Sequence, residues 1–194
     1  MRWVRDTIEP GCPDAFLIRV CTMSPLIEFY KGNGTDSEGR SLSEIWAFRH
    51  DQWEDRHDFI QWLFPLREPS QFNPDAPLLT DGDVALFHAD APLQENLKRS
   101  FGLFLAFLGL RLEGDQVVRT SEGERNRVFD HPNHNWLRIT RVLTSIRILG
   151  LETECRAFFS FLNQLHDEDR SGATTESFRY WREAAGADRG VAGT

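Results

Sequence analysis

The ten residues FGLFLAFLGL at 101–110 are apolar on every side, and a segment of that kind has to be surrounded by other elements. As a helix it spans only about 15 Å, half the roughly 30 Å hydrocarbon core of a bilayer, so it reads as the central helix of a bundle and not as a membrane span. Asp90 caps this helix with Pro92 in its first turn, and the pattern continues through Leu110. With 194 residues the chain is long enough for one domain that buries most of its own core. Fifteen phenylalanines and six tryptophans make that core aromatic.

Start and stop signals place the remaining elements. Ser41-x-x-Glu44 is a capping box after the glycine-rich loop KGNGTDSEGR at 31–40, so a helix starts at Leu42. After a break near Asp51, a second helix over 54–64 is ended by Pro65. The proline-rich stretch at 68–79 is expected to lie over the surface, held by Phe72, Leu78 and Leu79. Thr80-x-x-Asp83 caps a short helix that reaches His88. LRLEGDQVVR at 110–119 alternates about Gly114-Asp115 as a β-hairpin, and SEGE at 121–124 offers one more helix cap. Helices over 135–149, 153–165 and 174–185 complete an all-α, single-domain multi-helix bundle of about seven to nine helices, arranged around the 97–110 and 135–149 pair, with at most one small hairpin near 110–119. Residues 1–24 read as an N-terminal arm or extension, 25–185 as the helical domain and 186–194 as a disordered tail.

Two blocks bring polar chemistry toward this core. HDFIQWLFPL at 57–66 and HNWLRITRVL at 134–143 each set a histidine beside an acid or amide and then run into apolar sequence. On the second block's helix, steps of about 100° gather Ile139, Val142, Leu143, Ile146 and Leu149 on one face. The opposite face carries Leu137 and Ile148 with Arg141, Thr144 and Ser145 between them, so this helix is expected to pack on both sides. Arg141 then needs a carboxylate or an anionic ligand, because an unpaired buried charge costs several kcal/mol.

Bringing the two helices together sets His57 or Asp58 near Arg138 or Arg141, and three readings follow. In the first, the residues form a closed structural network in which Asp58 pairs with an arginine and the histidines bond to backbone. In the second they line a pocket for a short peptide or amino-acid-like ligand. Its contacts are His57, Asp58, Gln61, Trp62, His134, Asn135, Arg138 and Arg141, with aromatic walls from Trp46, Phe59, Trp62 and Trp136. In the third, His131-x-x-His134 with His57 holds a metal or haem, or acts in acid/base catalysis; no tetrahedral ligand set and no nucleophile spacing stands out. The preferred reading is non-enzymatic binding with no metal and no cofactor.

Other features narrow the function. Cys12, Cys21 and Cys155 form an odd set without C-x-x-C spacing, which indicates reduced thiols, and Cys155 in an apolar helix reads as core. A net charge of −8 argues against nucleic acid as a partner, and Arg138, Arg141 and Arg147 make no basic stripe. The loop at 31–40 lacks the ending of a phosphate-binding loop. No transmembrane segment or secretory signal is visible, and a cytoplasmic location is expected.

The blocks FYKGNGTDSEGRSLSEIW (29–46), HDFIQWLFPLREPSQFNPDAPLLT (57–80), LKRSFGLFLAFLGLRL (97–112) and HNWLRITRVLTSIRILGL (134–151) resemble the conserved region of the opioid growth factor receptor family, over residues 26 to about 183. The resemblance implies a receptor-like domain for a short peptide, Met-enkephalin in the vertebrate members, and peripheral membrane association through the nuclear envelope. The 194 residues amount to little more than that conserved region, and the chain is expected to be a microbial homologue without the family's long repetitive C-terminal part.

Overall fold

The structure, a computed structural model, describes residues 23–71, 73–121, 123, 128–131, 133–168 and 172–187. Nine helices and one hairpin occur among them: α1 (Pro25–Tyr30), α2 (Leu42–Trp46), α3 (His50–Asp55), α4 (Ile60–Leu63), α5 (Asp81–Ala89), α6 (Ala91–Phe107), β1 (Leu110–Glu113), β2 (Gln116–Arg119), α7 (Asn135–Ile148), α8 (Glu152–Asp167) and α9 (Thr175–Ala185). The chain is therefore an all-α bundle with one antiparallel hairpin. The expectations for the arm before Met23 and the tail after Ala187 lie outside the described residues, as do Glu122 and Glu124 of the cap at 121–124.

The caps act where the sequence places them. Ser41 Oγ accepts from the Glu44 amide at 3.3 Å while Glu44 Oε2 accepts from the Ser41 amide at 2.8 Å, and Thr80 and Asp83 form the same reciprocal pair. Asp90 starts α6 by accepting from the Leu93 amide at 3.2 Å. This helix ends at Phe107, three residues short of the expected Leu110, because Gly109 turns the chain at φ +74° and Leu110 already pairs with Arg119. Gly114 at φ +62° closes the two-residue hairpin turn.

Burial corrects several details. The run 101–110 is not surrounded on every side: Gly102 and Ala106 are exposed, while Phe101, Phe104, Leu105, Phe107 and Leu108 are buried. Phe104 sits at the centre of an aromatic cluster, its ring 5.8–6.5 Å from those of Phe64, Phe107, Phe158 and Trp53. The main partners of α7 are α9 and α8, and its contact with α6 is smaller, so the expected central pair of helices is only part of the core. Leu79 anchors the 68–79 loop as expected, Leu78 is half exposed, and Phe72 lies outside the described residues.

The largest departure lies at 54–64. The expected single helix is two short ones, because Arg56 adopts an extended conformation (φ −94°, ψ 136°) and the helix resumes only at Ile60. His57 and Asp58 consequently lie in a connection and not along the edge of a helical face. Pro65 follows α4 and prevents its continuation.

Candidate functional site between α4 and α7

The α7 stripe Leu137, Thr140, Arg141 and Thr144 follows i, i+3, i+4, i+7 spacing and faces the 57–70 segment across a cleft of about 280 Å³. The facing wall is Ile60, Gln61, Leu66 and Ser70, and His57, His134 and Arg138 close one end. Only Ile60, Leu66 and Leu137 of the lining residues are aliphatic, yet most of the surface facing the cleft is carbon, because the polar side chains turn much of their carbon toward it. Leu137 is 63% exposed and forms a rim, so α7 does not pack on both sides along its whole length.

Arg141 is the polar group with the fewest partners in this wall. Its Nη1 donates to the Phe64 carbonyl at 3.1 Å, and among the described residues no carboxylate lies within ion-pair distance of it. Burial pulls its pKa down while the charge of Glu68, an exposed residue outside the lining, opposes that shift. Gln61 is also incompletely satisfied. Its Nε2 donates to Ser70 Oγ at 3.2 Å, while its buried Oε1 has no hydrogen-bond partner. The hydroxyls of Thr140 and Thr144 donate back to the carbonyls of Trp136 and Thr140, four residues earlier, which leaves their methyl groups available to the cleft.

Arg138, one turn before Arg141, is saturated. Its guanidinium donates to the carbonyls of Trp53 (2.6 Å), Glu54 (3.4 Å) and Arg56 (2.7 Å), to Asn135 Oδ1 (3.1 Å) and to His57 Nδ1 (2.5 Å). Those carbonyls end α3, where a helix leaves acceptors unpaired and favours a cation. A guanidinium can only donate, so neutral His57 carries its proton on Nε2. Burial lowers the Arg138 pKa and the Glu54 charge opposes the shift.

His134 stands beside His57, with ring centroids 5.0 Å apart, and its Nε2 lies 3.2 Å from Glu54 Oε1. The other oxygen of Glu54 accepts from Asn135 Nδ2 at 3.2 Å. Burial holds the His134 pKa below its ordinary value; Glu54 works against that, and the charge of Arg138 adds to it. Among the described residues no group of three histidine, cysteine, aspartate or glutamate side chains has an arrangement that could hold a metal ion. His131 is exposed, and its carbonyl accepts from the Asn133 side chain.

Five of the eight sequence-selected residues therefore meet at the cleft: His57, Gln61, His134, Arg138 and Arg141. Three lie elsewhere. Asp58 pairs with Arg40 at 3.1 Å instead of with Arg138 or Arg141, and Arg40 also holds the buried Asp36 at 2.6 Å, so this trio ties the 31–40 loop to the connection before α4. Trp62 is buried and donates to Ser37 Oγ at 3.1 Å in that loop. Asn135 is buried between Arg138 and Glu54. The expected aromatic walls are absent from the lining: Phe59, Trp62 and Trp136 belong to the core, and Trp46 donates to Ser100 Oγ at 2.9 Å. Aromatic side chains were drawn inward because they carry the most apolar area to bury. The cleft residues not chosen from sequence as ligand contacts are Ile60, Leu66, Ser70, Leu137, Thr140 and Thr144. The spacing of the α7 stripe could have found Leu137, Thr140 and Thr144, while Ile60, Leu66 and Ser70 carried no such signal.

Cys155 is not a reactive group. It is buried, its thiol donates to the Leu143 carbonyl at 3.5 Å, and burial pushes its pKa up to about 12. No helix among the described residues is long and apolar enough to cross a membrane.

Comparison with known proteins places this geometry in a family. Residues 26–186 match the conserved region of the opioid growth factor receptor (OGFr). The opioid growth factor receptor of Homo sapiens is 40% identical over 140 residues, covering 66% of this chain and 20% of that protein. The same receptor of Rattus norvegicus is 40% identical over 136 residues, covering 65% of the chain and 23% of that protein. Opioid growth factor receptor-like protein 1 of Rattus norvegicus is 31% identical over 134 residues, covering 66% of the chain and 29% of that protein. The matched segment thus spans less than a third of each of these relatives. No solved structure matches the chain.

Proposed function

The chain belongs to the opioid growth factor receptor family through its conserved region, and on that premise we propose that the α4–α7 cleft is a non-enzymatic binding site for a short peptide or a small amino-acid-like ligand. The observation that carries this reading is Arg141, a largely buried guanidinium that lines the cleft with the Phe64 carbonyl as its hydrogen-bond partner. Burying a cation in that state is costly, and an incoming anion supplies what the fold leaves out. Gln61 adds an amide with one unsatisfied end, and His57 and His134 bound the cleft on the α3 side. A few polar groups set among apolar walls are the usual composition of a ligand site.

The remaining sequence-selected residues take supporting roles in this proposal. Arg138 and Asn135 hold the end of α3 against α7, Asp58 holds the 31–40 loop, and Trp62 fills the core behind the cleft. Placing ligand contacts on a helix braced in this way keeps them rigid.

Calorimetric titration with Met-enkephalin and a panel of other short peptides tests the proposal, with Arg141→Met as the matched control. Saturable binding that weakens at least about tenfold in the variant, whose unfolding transition stays close to that of the parent, is the expected result. Peptides that do not bind, or that bind the variant equally well, would remove the cleft as the site.

A further inference from the structure

Among the described residues the cleft is lined by Arg138, Arg141, His57 and His134 and by no acidic side chain. The two nearby carboxylates do not change this. Glu54 is engaged by His134 and Asn135, and Glu68 acts on Arg141 from the exposed loop without forming an ion pair. A peptide offers three kinds of backbone to such a site. Its N-terminus brings an ammonium, which would meet like charge and find no carboxylate in the lining. An internal segment brings no charge and leaves Arg141 unanswered. Its C-terminus brings a carboxylate, the group whose planar pair of oxygens fits a guanidinium fork.

Two further observations point the same way. Gln61, 3% exposed, keeps its buried Oε1 without a partner. Its terminal amide turns easily about the last torsion, which is broad for glutamine, and can offer that acceptor to a ligand N–H. The cleft volume of about 280 Å³ falls just under the roughly 300 Å³ at which ordinary ligand pockets begin, enough for one residue and its peptide link but not for a longer peptide.

We infer that the α4–α7 cleft captures the C-terminal residue of a peptide, with the α-carboxylate on Arg141, the backbone N–H toward Gln61 and an aliphatic side chain against Ile60, Leu66 and Leu137. This rests on the reading of the cleft as a peptide site, and it adds which end is bound and why. The rest of the peptide leaves past the exposed rim at Leu137.

The test uses four probes on the unaltered chain, followed by calorimetry: acetyl-triglycyl-leucine as the free acid, the same peptide as its C-terminal amide, N-terminal leucyl-triglycine amide, and N-acetyl-leucine. The acid is expected to bind at least about tenfold more tightly than the amide, as loss of a charge-assisted contact implies. The leucyl-triglycine amide is expected not to bind, and Arg141→Met should bring acid and amide to the same affinity. Equal affinity of acid and amide for the unaltered chain would overturn the end assignment while leaving the cleft a peptide site. N-acetyl-leucine carries every group that the cleft contacts and is expected to bind about as tightly as the acid peptide; binding more than about tenfold weaker would overturn capture through the last residue alone. Failure of all four probes, together with the peptide panel above, would remove the binding reading itself. The acid-against-amide comparison needs no variant and does not depend on whether Arg141→Met folds well.

Discussion

The α3–α7 junction and the α4–α7 cleft share one helix, yet they treat their arginines in opposite ways. At the junction, Arg138 finds three carbonyls, an amide oxygen and an imidazole nitrogen. One turn later Arg141 is also largely buried, with the Phe64 carbonyl as its hydrogen-bond partner. Two residues of one type on one helix thus separate into a clamp and an incompletely paired group. The difference comes from what faces them. Arg138 meets the end of α3, where three carbonyls converge on it, while Arg141 reaches the Phe64 carbonyl at the cap of the four-residue α4.

The sharpest way to break this comparison is to remove the clamp. Arg138→Met leaves the carbonyls of Trp53 and Arg56 without their donor, and a loss of about 3–5 kcal/mol is expected in urea unfolding. A loss below about 1 kcal/mol would mean that the junction is not the fully committed half. The 31–40 loop supplies an independent case of a closed network. Arg40→Met strands the buried carboxylate of Asp36 with only backbone amides and should cost about 2–3 kcal/mol.

Arg141→Met should behave differently, changing stability by less than about 1 kcal/mol while weakening peptide binding at least about tenfold, because it removes one hydrogen bond and a desolvation cost together. If Arg141→Met destabilised as much as Arg138→Met, the contrast between clamp and cleft would fail. Leu137→Ser, at the exposed rim, should leave unfolding unchanged within about 0.5 kcal/mol and weaken peptide binding several-fold through lost apolar contact.

The smallest expected effect is a pH dependence at the shared end of the two regions. His134 is held below its ordinary value in the folded chain, so the unfolded chain takes up that proton first. Its contribution is complete above the unfolded value near 6.5 and shrinks as pH falls from there through the lower folded value. His134→Gln should flatten that part of a stability-against-pH curve, measured by chemical unfolding between neutral and mildly acidic pH. An unchanged slope would show that His134 does not carry the dependence.

Much of the fold was readable along the chain. Ser41, Thr80 and Asp90 announced their helices through side chains that act within three residues, and the hairpin followed from Gly114-Asp115 between alternating residues. The core face of α7 followed from its period, and Ile139, Val142, Leu143, Ile146 and Leu149 are all fully buried. The break at Arg56 was not readable, since the surrounding residues continue an apolar pattern that suits a helix. It moved His57 off the expected helical face and let its ring reach Arg138, 81 positions away.

For the site, residue types were legible, and so was the approach of His57 to Arg138, but most other partners were not. That Arg141 would be at least partly buried and short of partners was visible in its helical position beside Leu137, Thr144 and Ile148. That Arg138 would be closed off depended on the end of α3 arriving opposite it. Asp58, the obvious partner by type, went instead to Arg40 across the 31–40 loop. The sequence by itself determined where helices begin and end and which faces are apolar, because caps and periodicity act over a few neighbouring residues. Only the tertiary structure decided which buried charge is closed and which is left facing a cleft, because that depends on carbonyls and carboxylates brought together from distant parts of the chain.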